Sequence, residues 1–248
     1  MTQQPPIQNS FPQGLRDGMP IGLGYLSVSF AFGISAVAAG VPVWGAALIS
    51  MTNVTSAGQF AGLSLMAAGA SLAEQALTQL VINLRYALMS LSLSQKLAPG
   101  IGLLDRLLMA FLNTDEVFAV ASSQPGLVGR RYFFGLMLAP YIGWSTGTVL
   151  GAAAGSVLPQ AVRSALGIAI YGMFLAIIIP PAKKQPAVRR VLLLAVALSC
   201  LVAWTPLCRV VSSGFSIILC TLLAAGAGAW LFPRRDGEAP EKGGGTDA

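Results

Sequence analysis

The chain has 248 residues, of which 55% are hydrophobic and only 10% charged, and its mean hydropathy is +0.72. A soluble domain carries about 25% charged residues, so a water-exposed globular fold is excluded. The net charge of +6 sits in clusters at the ends of apolar runs, which argues against a nucleic-acid face, and the absence of histidine removes the commonest general base, metal ligand and near-neutral proton switch.

Residues 1–17 form a polar, proline-bearing N-terminal segment, and residues 1–15 contain no apolar core of the kind a cleaved signal peptide needs. The first span is therefore expected to direct insertion itself. Apolar runs of about 20 residues follow repeatedly, the length that crosses roughly 30 Å of hydrocarbon. The expected spans are Pro20–Ala39, Val43–Ala68, Leu72–Leu93, a weaker Leu103–Ala121, Tyr132–Val157, Val162–Ile179, Val191–Pro206 and Val210–Phe232. The runs are continuous rather than alternating, which excludes a β-barrel. In lipid, such segments must satisfy their own backbone hydrogen bonds as helices. The fold class is all-α: a polytopic integral membrane protein with seven or eight transmembrane helices, at least one of them discontinuous. Residues 18–232 are read as the transport domain and 233–248, rich in Gly, Pro and charge, as a disordered cytoplasmic tail.

The weak segment decides the count, because Asp105, Arg106, Asp115 and Glu116 shorten its apolar run. If it spans, eight helices leave Lys96, Arg106, Arg163 and Arg209 outside and both termini inside. If it does not, seven helices place the N-terminus outside. Both arrangements obey the positive-inside rule. Both put the Lys183–Arg190 loop and the C-terminus in the cytoplasm, as expected for a cytoplasmic (inner) membrane protein. A faint internal similarity relates Gly33–Pro42 to Gly151–Pro159.

Four features could carry chemistry. Thr52-Asn53-Val54-Thr55-Ser56-Ala57-Gly58-Gln59 sets polar and small residues at a depth where leucine is expected. Ser, Thr and Asn compete for backbone hydrogen bonds, and a break there exposes helix ends able to hold a carboxylate or a cation. The plainer alternative is an intact helix with Gly58 and Gly62 on a packing face. Asn83-Leu84-Arg85-Tyr86 places an arginine well inside a span, at a cost of at least about 2.5–3.5 kcal/mol, so Arg85 requires a counter-charge or a ligand. Asp115 and Glu116, about 100° apart on a helix, are expected to face different partners, one of them Arg85 and one a proton; the alternative is a solvated surface loop. Glu74, about 16 Å from Arg85 along the helix, is expected at an interface or as an N-terminal dipole partner. Gly147, Gly151 and Gly155 read as a packing seam, and Arg16-Asp17 as an anchor in which Asp17 caps the first helix. Cys200, Cys208 and Cys220 lie in apolar runs without metal or disulfide spacing, and neither a metal nor a cofactor is implied.

In order and spacing, Gly14-Leu15-Arg16-Asp17-Gly18-Met19-Pro20, Phe30-Ala31-Phe32-Gly33, Ala57-Gly58-Gln59-Phe60, Asn83-Leu84-Arg85-Tyr86, Thr114-Asp115-Glu116-Val117-Phe118 and the Gly147–Gly155 series resemble the AzlC family. That family comprises the large subunits of two-component branched-chain amino-acid exporters. The resemblance runs from about Gly14 to Lys184; Tyr86 stands where the family commonly has histidine. It implies a small AzlD-type membrane subunit as partner. The expected function is export of leucine-, isoleucine- or valine-like amino acids by alternating access coupled to the proton gradient. Asn53, Ser56, Gly58, Gln59, Asn83, Arg85, Asp115 and Glu116 are the candidate substrate-binding residues. A membrane scaffold without transport of its own is the alternative. An intramembrane enzyme is not expected, because no histidine and only one acidic pair are present.

Overall fold

A computed structural model describes residues 7–157, together with 159, 175, 178–180, 182, 183, 185–205 and 211–232. The chain divides into two compact units, Met1–Ala176 and Ile177–Ala248. The first holds β1 (Ile7–Gln8), α1 (Phe11–Ala38), α2 (Val43–Thr52), α3 (Ser56–Ala67), α4 (Leu72–Ser94), α5 (Leu103–Phe111), α6 (Asp115–Ser123), β2 (Leu127–Val128) and α7 (Arg130–Val157). The second holds α8 (Pro186–Trp204) and α9 (Ser213–Leu231).

Local chemistry sets the helix ends. Ser10 caps α1 by accepting from the Gln13 N–H at 3.4 Å, and a proline follows in the first turn. Asp17 therefore lies inside α1 and does not cap it. It accepts instead from Gln13 Nε2 at 2.8 Å and from the Tyr132 hydroxyl at 2.7 Å, tying α1 to α7. Gly40 (φ +89°) ends α1 in the left-handed conformation that other residues rarely adopt, and the Val41 N–H reaches back to Ala36 O at 2.9 Å. Gly69 (φ +69°) ends α3 in the same way. Ser71 caps α4 by accepting from the Glu74 N–H at 3.2 Å, which places Glu74, buried, in the first turn at the positive end of the helix dipole.

The frame of the first unit is α1 packed on α7, backbone against backbone. A Cβ on Gly22 would sit 2.6 Å from Ala139 O, and one on Gly151 would collide with Phe30 O. The expected glycine seam thus exists, and α1 is the neighbour it serves. Contacts climb both helices together, from Gly14 against Tyr132, through Gly22 against Gly143, to Gly33 against Thr148. The two helices are therefore parallel. In front of them β1 pairs in parallel with β2, Ile7 opposite Leu127 and Gln8 opposite Val128, a small exception to an all-helical fold. The segment that follows α4 joins this cluster, since Ala98 N–H donates to Val128 O at 2.9 Å. Hence α4 runs opposite to α1 and α7.

The remaining helices form two hairpins that enter from opposite ends and turn back halfway. Ala46 of α2 packs with Phe32, Ala36 and Ala152 near the far end of the frame, Ser50 reaches Thr148, and Val54 lies at Trp144 and Tyr25. Then α3 returns: Gln59 is at Trp144, Phe60 stacks edge-on against Phe32, and Leu63 rejoins the Phe32 cluster. From the near end, Asp105 of α5 pairs with Arg130, Met109 packs near Tyr132 and Leu136, and Leu112 reaches Trp144 and Val54. Then α6 returns, with Thr114 at Tyr25 and Ala121 back beside Val128.

Neither Val43–Ala68 nor Leu103–Ala121 thus runs the length of the α1–α7 pair. The physical reason is that each apolar run is cut by backbone outside the helical region: Asn53 and Thr55 are extended, as is Thr114. Each half is too short to cross by itself. Among the described residues five helices are long and apolar enough to cross a membrane: α1, α4, most of α7, α8 and most of α9. The expected span Val162–Ile179 lies almost wholly outside the described residues. In the second unit α8 and α9 pack antiparallel, with Gly228 against Val191 and Cys220 near Val202. Cys200 and Cys220 are free thiols, and Cys208 is outside the described residues.

Candidate functional site

The two hairpin tips meet halfway along the frame. The first is Asn53-Val54-Thr55, and its position is fixed by a closed circuit of buried hydrogen bonds. Trp144 Nε1 donates to Gln59 Oε1 at 2.8 Å, Gln59 Nε2 donates to Ser50 Oγ at 2.9 Å, Ser50 and Thr148 hydroxyls are 2.7 Å apart, and Thr148 Oγ1 donates to Trp144 O at 3.1 Å. Because Thr148 spends its proton on the carbonyl, Ser50 is the donor to Thr148. One residue of α2, one of α3 and two of α7 are locked together with every polar atom in the circuit satisfied. Towards α4, Thr55 Oγ1 donates to Asn83 Oδ1 at 2.9 Å, Asn83 Nδ2 to Gln79 Oε1 at 3.0 Å, and Gln79 Nε2 to Gly58 O at 2.7 Å. Gly58 has no side chain because a Cβ would lie 2.7 Å from Gln79 Oε1. The polar run in this segment therefore serves two faces, one against α7 and one against α4.

The second tip is Leu112-Asn113-Thr114, and charges surround it. Arg85 Nη1 is 2.6 Å from Asp115 Oδ2, and its guanidinium lies 5.0 Å from the Tyr86 ring centre. Glu116 Oε2 accepts from the Tyr25 hydroxyl, which is also 2.8 Å from Thr114 Oγ1. Asp115 and Glu116 thus face different partners, and Asp115 is the acid at Arg85. Both acids stand in the first turn of α6, where the helix dipole favours negative charge. Tyr25 also packs edge-on against Trp144, with ring centres 5.2 Å apart. It therefore connects the charged tip to the neutral circuit.

Between the tips lies a cavity of about 170 Å³, lined by both tips (including Asn53, Thr55, Asn113 and Thr114) and by Asn83 and Tyr86 of α4. That is on the scale of an engineered cavity of about 150 Å³ that binds benzene. No lining residue carries a charge. Four helix ends converge here: the C-terminal ends of α2 and α5 and the N-terminal ends of α3 and α6. The α6 end is neutralised by its own acids, whereas α3 has no acid in its first turn and no side-chain cap.

The family model described as AzlC protein matches residues 20–158, which contain both hairpins and most of the frame. The chain belongs to the AzlC family. It is 32% identical over 192 residues to the inner membrane protein YgaZ of Escherichia coli (strain K12), covering 74% of this chain and 78% of YgaZ. It is 35% identical over 180 residues to an uncharacterized membrane protein of Archaeoglobus fulgidus, covering 71% of this chain and 77% of the relative. An uncharacterized membrane protein of Helicobacter pylori is 28% identical over 155 residues, 60% of this chain and 67% of its own length. No solved structure matches. With these relatives and its long apolar helices, this AzlC protein is a helical membrane protein.

Of the candidates read from sequence, Asn53 and Asn83 line the cavity. Arg85, Asp115 and Glu116 stand beside it, each acid engaged with its own partner. Ser56 begins α3 at the tip. Gly58 and Gln59 face away into the two hydrogen-bond networks. Sequence reasoning missed Asn113, Tyr25 and Trp144. Asn113 directly precedes the singled-out Thr114-Asp115-Glu116 and was legible as a polar residue in an apolar run; Tyr25 and Trp144 look like any aromatic in a span.

Proposed function

We propose that this AzlC protein exports small zwitterionic amino acids with apolar side chains, branched-chain ones above all, by alternating access coupled to the proton gradient. The observation that carries this reading is the uncharged, partly open cavity of about 170 Å³ between two helix breaks that enter from opposite ends. Irregular backbone at membrane depth is tolerated where it is buried in protein or lines a cavity, and opposed helix ends suit a carboxylate and an ammonium in one small volume. The α3 N-terminus is the pole that suits the carboxylate. Glu116, joined to Tyr25 at the tip, is the proposed proton carrier in a chain without histidine.

The same reading gives a topology. Both hairpins are re-entrant, so of the described helices of the first unit α1, α4 and α7 cross. Arg16, Lys96, Arg106, Arg130 and Arg131 then gather at the end where α1 and α7 begin, while residues 39–71 at the opposite end contain neither Lys nor Arg. By the positive-inside rule that basic end, and the N-terminus with it, is cytoplasmic. Three further crossings, for which 162–179 by hydropathy and α8 and α9 by length are suited, return the tail to the cytoplasm. A small AzlD-type subunit is the proposed partner. Outward Leu80, Leu84, Leu88 and Leu91 of α4 offer an apolar face for lipid or such a subunit.

Purified protein in liposomes, with and without the small subunit, tests the reading directly. Radiolabelled leucine should exchange in response to an imposed pH gradient, and Arg85→Ala and Glu116→Gln should each reduce that flux. Unchanged flux in both variants would show that the site is misplaced.

A further inference from the structure

Asn113 is 2% exposed, and its Nδ2 donates to Ser90 Oγ at 3.2 Å. Its Oδ1 is buried and accepts no hydrogen bond. Leaving a buried acceptor unmade costs about 1–3 kcal/mol, and buried side-chain polar atoms are seldom left so. Asn113 also lines the cavity between the tips. The surroundings say what kind of donor suits it. The groups lining the cavity carry no charge, and the nearby acids are engaged, Asp115 with Arg85 and Glu116 with Tyr25. The negative pole on this side is the C-terminal end of α5, which has no basic residue in its last turn and brings Ala110 and Phe111 to the cavity wall. A cationic donor placed there lies at a dipole end and next to Asn113, whose buried side-chain carbonyl has no donor of its own.

We infer that Asn113, through its side-chain carbonyl, receives the α-ammonium group of the bound amino acid. This rests on the reading of the cavity as the amino-acid site and adds the residue that distinguishes an amino acid from its des-amino analogue. The α3 N-terminus, across the cavity, is left for the carboxylate, so the solute lies between the two tips and bridges them.

The test measures leucine binding to detergent-purified protein, with 4-methylpentanoate, which has the same carboxylate and a branched chain but no amino group, as the competing probe. Asn113→Leu should weaken leucine about tenfold or more, the scale of one hydrogen bond to a charged group, and leave 4-methylpentanoate unaffected. Asn113→Asp keeps the acceptor and adds charge, so it should bind leucine at least as tightly and discriminate against 4-methylpentanoate more strongly. Leucine affinity unchanged in Asn113→Leu, or both probes weakened equally, overturns the inference. If Asn113→Leu does not fold, Asn113→Asp decides alone, and discrimination no greater than that of the natural protein overturns it. Wild-type protein that binds neither probe overturns the reading of the cavity itself. Wild-type binding with an indifferent Asn113 overturns only this assignment.

Discussion

The two hairpins reach the same depth and are built from opposite materials. The first, α2–α3, is held by neutral groups: Ser50 and Gln59 are buried and complete a circuit with Trp144 and Thr148. The second, α5–α6, is held largely by charges, with Asp105 at Arg130, Asp115 at Arg85 and Glu116 at Tyr25. Its α5 also turns Leu103, Leu104, Leu107 and Leu108 outward. Neutral hydrogen bonds between amides, hydroxyls and an indole do not change with pH or membrane potential. Ion pairs and carboxylates do. On the transport reading proposed above, the first hairpin is the fixed wall of the cavity and the second the wall whose ion pairs can be broken.

Substitutions can break or sharpen this contrast. The largest effect is expected from Gln59→Leu, which leaves the buried Trp144 N–H without an acceptor, at about 1–3 kcal/mol for the unsatisfied group, and removes the donor to Ser50, whose own bond to Thr148 remains. Thermal unfolding in detergent should fall by several degrees and transport should be lost with it; an unchanged midpoint would mean that the circuit does not hold the hairpin. Next, Arg85→Asp and Asp115→Arg should each abolish most leucine flux with little loss of folded protein. The double exchange should restore part of it, whereas no recovery would deny that the pair works as a unit. Glu116→Gln should then leave leucine binding near normal but flatten the pH dependence of flux, and an unaltered pH profile would move the proton elsewhere. The smallest effect is expected from Asp105→Asn. Arg130 is 62% exposed and Asp105 16% exposed in their 3.1 Å pair; with one partner in solvent the pair is worth about 1 kcal/mol, so unfolding should fall only slightly and flux should scarcely change.

Much of this was legible in the sequence, for identifiable reasons. Apolar length marks α1, α4 and α7, and the spacing of Gly147, Gly151 and Gly155 marks the seam against α1. The cost of burying charge singles out Arg85 and the Asp115-Glu116 pair before any contact is known. Direction was not legible. Val43–Ala68 is long enough to cross, and hydropathy carries no sign that distinguishes passing through from turning back. What turns it is tertiary: Thr55 is held by Asn83, and Gln59 by Trp144 from α7. The same blindness left the seven-versus-eight question open, because both counts assumed that Val43–Ala68 crosses. Asn113 went unnoticed because a lone asparagine gains meaning only when its oxygen is seen to lack a donor.

The parallel packing of α1 on α7 also sets an order of events during synthesis. Ser29 and Gly143, a contacting pair in that seam, are 114 residues apart. At about 5–20 residues per second, α1 waits on the order of ten seconds in the membrane before its partner is made. Its glycine-lined face must meanwhile be covered by lipid, by the translocation machinery or by α2 and α3. Both hairpins are therefore synthesised before the frame can close, and α7 is the helix that completes it.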